Sequence, residues 1–183
     1  MENTEFRLNE SKFFLEGMKE NKEKSPEFEY YLNAYVSSAR SVLWIMKSEY
    51  GKLKEWKKWY DDKDVNQEQK KLLDGIVKMR NRSLKQRPLK VKEYTTIGDD
   101  KNFCDIGEVF KKFIGKRVKV EIKQIEDLRE FNICEDRNYT EVTGKLRIST
   151  TVEEFKNKDI INICKEYDSW LSNIVSECIN IFG

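Results

Sequence analysis

Apolar residues recur three and four apart through four stretches of this chain, and alternate with polar ones in a region before the last of them. The three-and-four rhythm marks amphipathic helices, and alternation marks strands. Residues 6–22 form the first helical stretch, with Phe14, Leu15 and Met18 on one side and lysines and glutamates on the other. In "SPEFEYYLNAYVSSARSVLWIMKSEYG" the stripe Phe28, Tyr31, Leu32, Tyr35, Val36, Ala39, Val42, Leu43 and Met46 predicts a long helix, with Ser25 as N-cap, Pro26 at the first helical position and Gly51 as C-cap. A third helix is expected from about Asn66 to Ser83 on Gln69, Leu72, Leu73, Ile76 and Val77, and Pro88 ends it between Ser83 and Gln86. The fourth runs from Asp159 to Phe182, preceded by "TTVEEF", where Thr151 and Glu154 have capping-box spacing.

Between Lys90 and about Thr150 the period changes. "RVKVEIKQI" alternates strictly, "EVTGKLRIST" supplies a second strand, "VKEYTTIG" a third, and "DIGEVFKKFIG" a short helix among them. The expected architecture is mainly α: an antiparallel four-helix-type bundle with a small antiparallel β-sheet inserted before the last helix. As one domain, its helical parts span about 6–88 and 155–182, and its β-rich insertion about 90–150.

Two features depart from a plain bundle. The long second helix has another face, Asn33, Ser37, Arg40, Ser41 and Trp44, on which a tryptophan stands beside small hydroxyls. Such a face packs on a partner helix, lines a polar cleft or makes a second contact in the same bundle; Ser37, Ser41 and Trp44 are candidate interface residues. In the third helix, a step of four from Ile76 lands on Arg80, a charge on the apolar stripe that needs a counter-ion or a bound anion. The nearby "LKEWKKWYDDK" interleaves Trp56, Trp59 and Tyr60 with lysines, a pattern that serves base stacking or burial at a bundle end.

Charge sharpens the second feature. The chain as a whole carries +2, but Lys70–Lys92 holds nine basic residues against Asp74 alone, which leaves the remainder acidic. Such a concentration fits a phosphate or nucleic-acid site, with Arg80, Arg82, Lys85, Arg87 and Arg40 as candidate ligands, or a solvated helix end whose cations suit the dipole.

Composition narrows the chemistry. With 38% hydrophobic and 12% aromatic residues the 183-residue chain can build one real core. No apolar run reaches the ~18 residues of a membrane span, and "MENTEFRLNESKFF" is too polar for a signal peptide, so the expected compartment is the cytoplasm. Cys104, Cys134, Cys164 and Cys178 form no C-x-x-C pair, and there is no histidine, so no metal site and no cofactor are expected.

The "YYLNAYVSSARSVLWIMKSEY" helix, the acidic and aromatic link, a helix ending in "RNRSLK" before "RPL", and a closing amphipathic helix together resemble the HEPN family, small helical bundles many of which are ribonucleases of toxin–antitoxin and other defence systems. Arg80 and Asn81 match the family's motif, and Lys85 falls where its histidine would stand. The resemblance implies a homodimer with its motifs facing a shared cleft, RNA or nucleotide as ligand, an antitoxin-like protein partner, and metal-independent RNA cleavage by Arg80, Asn81 and Lys85. A lysine with a pKa near ~10.4 holds a phosphate better than it moves protons. The resulting expectation is binding of RNA or another polyanion at a basic cleft, with ribonuclease activity degenerate or absent. The alternatives are a non-enzymatic protein–protein interaction module and a weakly active ribonuclease.

Overall fold

A computed structural model describes residues 2–63, 65–98, 103–105, 118–125, 128–135, 142–156 and 158–183. Among the described residues the helices are α1 (Glu2–Glu20), α2 (Glu27–Tyr50), a short α3 (Trp56–Asp61), α4 (Gln67–Lys85) and α5 (Ile160–Phe182), with one 3-10 turn at Glu153–Phe155. Among the described residues, five strands lie between α4 and that turn: β1 (Lys92–Gly98), β2 (Phe103–Asp105), β3 (Val118–Ile125), β4 (Leu128–Glu135) and β5 (Val142–Thr151). Met1–Val91 with Val152–Gly183 form one compact unit and Lys92–Thr151 a second.

The first unit is the expected helical bundle. Its first two helices are antiparallel, since Thr4 at the start of α1 meets Glu49 near the end of α2, while Ser38 donates to Glu10 at 2.5 Å midway. At the other end of α2, Asn33 meets Ser83 of α4 at 2.5 Å. Tyr35 donates to the Cys164 carbonyl at 2.7 Å, and the Trp56 indole donates to the Cys178 sulfur at 3.3 Å. These contacts run α5 alongside α2 from its first half down to α3, so the four long helices alternate in direction. Leu15, Met18, Leu32, Tyr35, Ile76 and Leu171 are among the side chains buried at the centre. Each contributes roughly 1.5–3 kcal/mol by leaving water.

Several ends differ from the sequence-based expectation. Helix α1 starts at Glu2 because Asn3 and Thr4 donate their backbone N–H groups to Glu49, a remote carboxylate serving as the cap. Pro26, not Ser25, occupies the N-cap position of α2, and Ser25 reaches Glu29 instead. The expected capping box at Thr151 and Glu154 does not form: Thr151 closes β5, Glu154 lies in the 3-10 turn, and Asp159 caps α5 by accepting from the Asn162 N–H at 3.1 Å. Asn66 does cap α4, in a reciprocal box with Gln69.

The second unit is a wholly antiparallel sheet in the order β2-β1-β5-β4-β3. Its register sets Val120 opposite Ile133 and Ile122 opposite Phe131, and Ile133 opposite Val142. Strands β1, β3 and β5 stand where the alternation puts them, whereas β2 and β4 add to it. Most of the expected "DIGEVFKKFIG" helix lies outside the described residues.

Candidate functional site

Helix α4 carries both features singled out by charge and pattern. Its buried stripe runs through Gly75, Ile76 and Met79, so a step of three from Ile76, not four, reaches the core. Arg80 is consequently turned to the rim, half-buried, with a long 3.4 Å hydrogen bond to the Asn81 side chain. Lys85 is exposed on the last turn. On a helix, residues five apart diverge by about 140°, and α4 continues unbroken to Lys85, so Arg80 and Lys85 do not converge. Among the described residues, neither forms an ion pair.

The other two arginines of the run are engaged. Arg82 forks onto two carboxylates, Nη1 to Glu153 and Nη2 to Glu154, both at 2.8 Å. Its side chain is only 11% exposed and that of Glu154 only 10%, so the pair is largely withdrawn from water. Arg87 reaches Glu153 at 3.3 Å. These acids, downstream of the inserted sheet, neutralise the part of the basic run nearest the bundle. "TTVEEF" contained them, but nothing in its local spacing couples it to residue 82.

On α2, Asn33 is a clamp: its amide accepts from the Leu89 N–H at 2.9 Å and donates to the Leu89 carbonyl at 3.2 Å, fixing the chain leaving α4. Ser41 donates to the Ser37 carbonyl at 2.8 Å, which leaves neither hydroxyl committed to another helix. Arg40 lies 5.8 Å from the ring centre of Trp44, which is 62% exposed. This face therefore divides into a contact within the bundle at Asn33 and open surface at Trp44. The aromatic run packs at the bundle end, Trp56 buried and Trp59 and Tyr60 half-buried: Trp56 stacks on Tyr60 at 4.9 Å, and Trp59 meets Phe182 edge-on at 5.5 Å. Its rings are thus committed to packing.

Between α4 and α5 the bundle opens into a groove of about 1240 Å³. Leu72 and Gly75 of α4, Phe155 of the 3-10 turn, and Ile163 and Trp170 of α5 supply its apolar lining. The Trp170 ring stacks on Tyr167 at 6.0 Å, which steadies that wall. Five lysines and five carboxylates surround it, Glu153 and Glu154 among the latter already paired with Arg82, so its rim carries charges of both signs. Burial raises the Tyr167 hydroxyl and the Cys164 thiol above their ordinary values, leaving both protonated and unreactive at neutral pH. No group of side chains among the described residues could hold a metal ion, and no helix among them is long and apolar enough to cross a membrane.

Comparison with known proteins replaces the resemblance drawn from the motif. The family model described as bacteriophage lambda protein ea47 matches residues 1–97, more than half of the chain, including the α2 and α4 segments on which the HEPN reading rested. The HEPN assignment is therefore corrected, and with it goes the ground for giving Arg80, Asn81 and Lys85 a shared catalytic role. An arginine–asparagine pair near a helix end is too short a motif to identify a family. No curated protein and no solved structure matches the chain.

Proposed function

The chain belongs to the bacteriophage lambda ea47 family, and from that premise we propose that it is a non-enzymatic protein–protein interaction module whose docking site is the α4–α5 groove. The observation that supports this reading is the composition of the groove, an apolar lining between walls that carry charges of both signs. Polyanions select an excess of cations; a protein surface selects an apolar centre with charges of both signs around it. Buried, unpaired Cys164 and Cys178 fit a reducing compartment, and we place the protein in the cytoplasm. The test is co-purification with a variant that fills the groove from its wall. Ser169, exposed on α5, points no group into the core, so Ser169→Trp obstructs the groove and leaves the bundle folded. Loss of protein partners that the native chain retains is the expected result; identical partners for both chains would refute the site.

A second reading rests on Arg80, Lys85 and Lys90, which form no ion pair among the described residues and lie on α4 or just beyond it. They support weak, salt-sensitive binding of RNA or another polyanion outside the groove. Under this reading, Arg80→Ala combined with Lys85→Ala lowers affinity for single-stranded RNA at low salt, and Ser169→Trp leaves it unchanged. Equal RNA binding by the native and doubly substituted chains would dismiss it.

A further inference from the structure

We infer that the occupant of the α4–α5 groove is a second copy of this chain, docked with its α4 antiparallel to the first; this rests on reading the groove as a protein-binding site. The charges on the groove side of α4 alternate in sign: Glu68, Lys71, Asp74 and Lys78, all four exposed. Read in the opposite direction, the same series is Lys78, Asp74, Lys71, Glu68. Two copies related by a two-fold axis near Leu72 therefore set Glu68 against Lys78 of the partner subunit and Lys71 against Asp74 of the partner subunit, and each pairing occurs twice. A parallel arrangement instead sets every charge against its own kind. A two-fold interface must be complementary to itself, and few surface sequences are. The same axis brings Leu72, half-buried at the groove's lining, to the centre of the contact, with the charge pairs flanking it. An apolar centre between complementary charges is the arrangement that fixes register between partners.

The experiment uses the full chain and two charge variants. Glu68→Lys with Asp74→Lys makes the ladder wholly basic, and Lys71→Glu with Lys78→Glu makes it wholly acidic. By light scattering the native protein is expected at twice the chain mass, dissociating as salt is raised because exposed pairs are screened. Each variant alone is expected to dimerise at least roughly tenfold more weakly, since four surface pairs become four repulsions. An equimolar mixture of the two is expected to restore the dimer as a heterodimer. Circular dichroism melting confirms that each variant is folded. A native protein that stays monomeric to about 100 µM overturns the inference, as does a dimer indifferent to salt and to both variants, or a mixture that stays monomeric. If the native chain is monomeric while Ser169→Trp still removes another protein, the self-association fails and the groove reading stands. If Ser169→Trp removes nothing, both fail.

Discussion

The α1–α2 hairpin and the α4–α5 pair use the same device to opposite ends. Each contains one helical glycine facing an aromatic ring: Gly17 faces Tyr31, and Gly75 faces Phe155. In the hairpin the ring belongs to the adjacent helix, so the missing side chain lets two helices close on each other, helped by small buried Thr4, Ser11, Ser38 and Ala39. In the other pair the ring belongs to the 3-10 turn, and the space at Gly75 admits a third element beside α4. The groove between α4 and α5 is where that element enters. Small residues by themselves do not determine whether helices meet; what fills the space does.

If the turn is held where it is by Arg82, cutting that fork should have the largest effect. Arg82→Ala leaves Glu154 largely buried without its counter-ion, and breaking such a pair from one side costs roughly 3 kcal/mol. Urea denaturation measures it. A loss below about 0.5 kcal/mol, the scale of an exposed pair, would mean that the Phe155 ring alone seats the turn.

The two glycines give a direct contrast of intermediate size. A methyl group at either position overlaps the facing ring, and alanine gains about 1 kcal/mol of helix propensity over glycine in both. Phe155 is buried against α4, so displacing its ring costs core contacts, and overpacking of about 2 kcal/mol outweighs the gain. Tyr31 is half-buried and its ring can swing outward. Gly75→Ala is therefore expected to destabilise by about 1 kcal/mol and Gly17→Ala to be close to neutral. Equal effects in thermal melts would remove the distinction drawn between the two pairs.

Much of this fold could be read from periodicity because periodicity records burial. The α2 stripe follows from which side faces the core. The misreadings share another cause. A cap at α1 supplied by Glu49, and a counter-ion for Arg82 supplied by Glu153 and Glu154, are contacts between residues 45 and more apart in sequence. Nothing local encodes them. Arg80 was misplaced for a local reason: steps of three and of four are both helical, and only packing decides that Met79, not Arg80, enters the core. The groove lining could not be seen as a set, since Leu72, Phe155 and Trp170 belong to three elements.

The effect spread over the widest range of conditions separates the two pairs by pH. Burial pushes the Glu49 carboxyl up, but hydrogen bonds from the Thr4 hydroxyl and from the Asn3 side chain and backbone together outweigh it and hold the group at about 2 against an ordinary 4.5. A carboxyl lowered by folding stabilises the fold above its unfolded value and ceases to as it is protonated. The contribution of Glu49 is thus complete above pH 4.5 and is lost as pH falls from there through about 2. Glu10, lowered by its hydrogen bond from Ser38 against the opposing effect of burial and with Arg7 beside it, adds to the trend in the same hairpin. Glu49→Gln keeps an acceptor for Thr4 and removes the titration. Native protein should therefore lose melting temperature faster than Glu49→Gln between pH 4.5 and 2 while α1 frays first, a sequence that hydrogen exchange at Thr4 and Leu8 can follow. Parallel melting curves for the two chains over that range would show that the carboxylate does not close the hairpin end, and that small-residue packing alone holds α1 against α2.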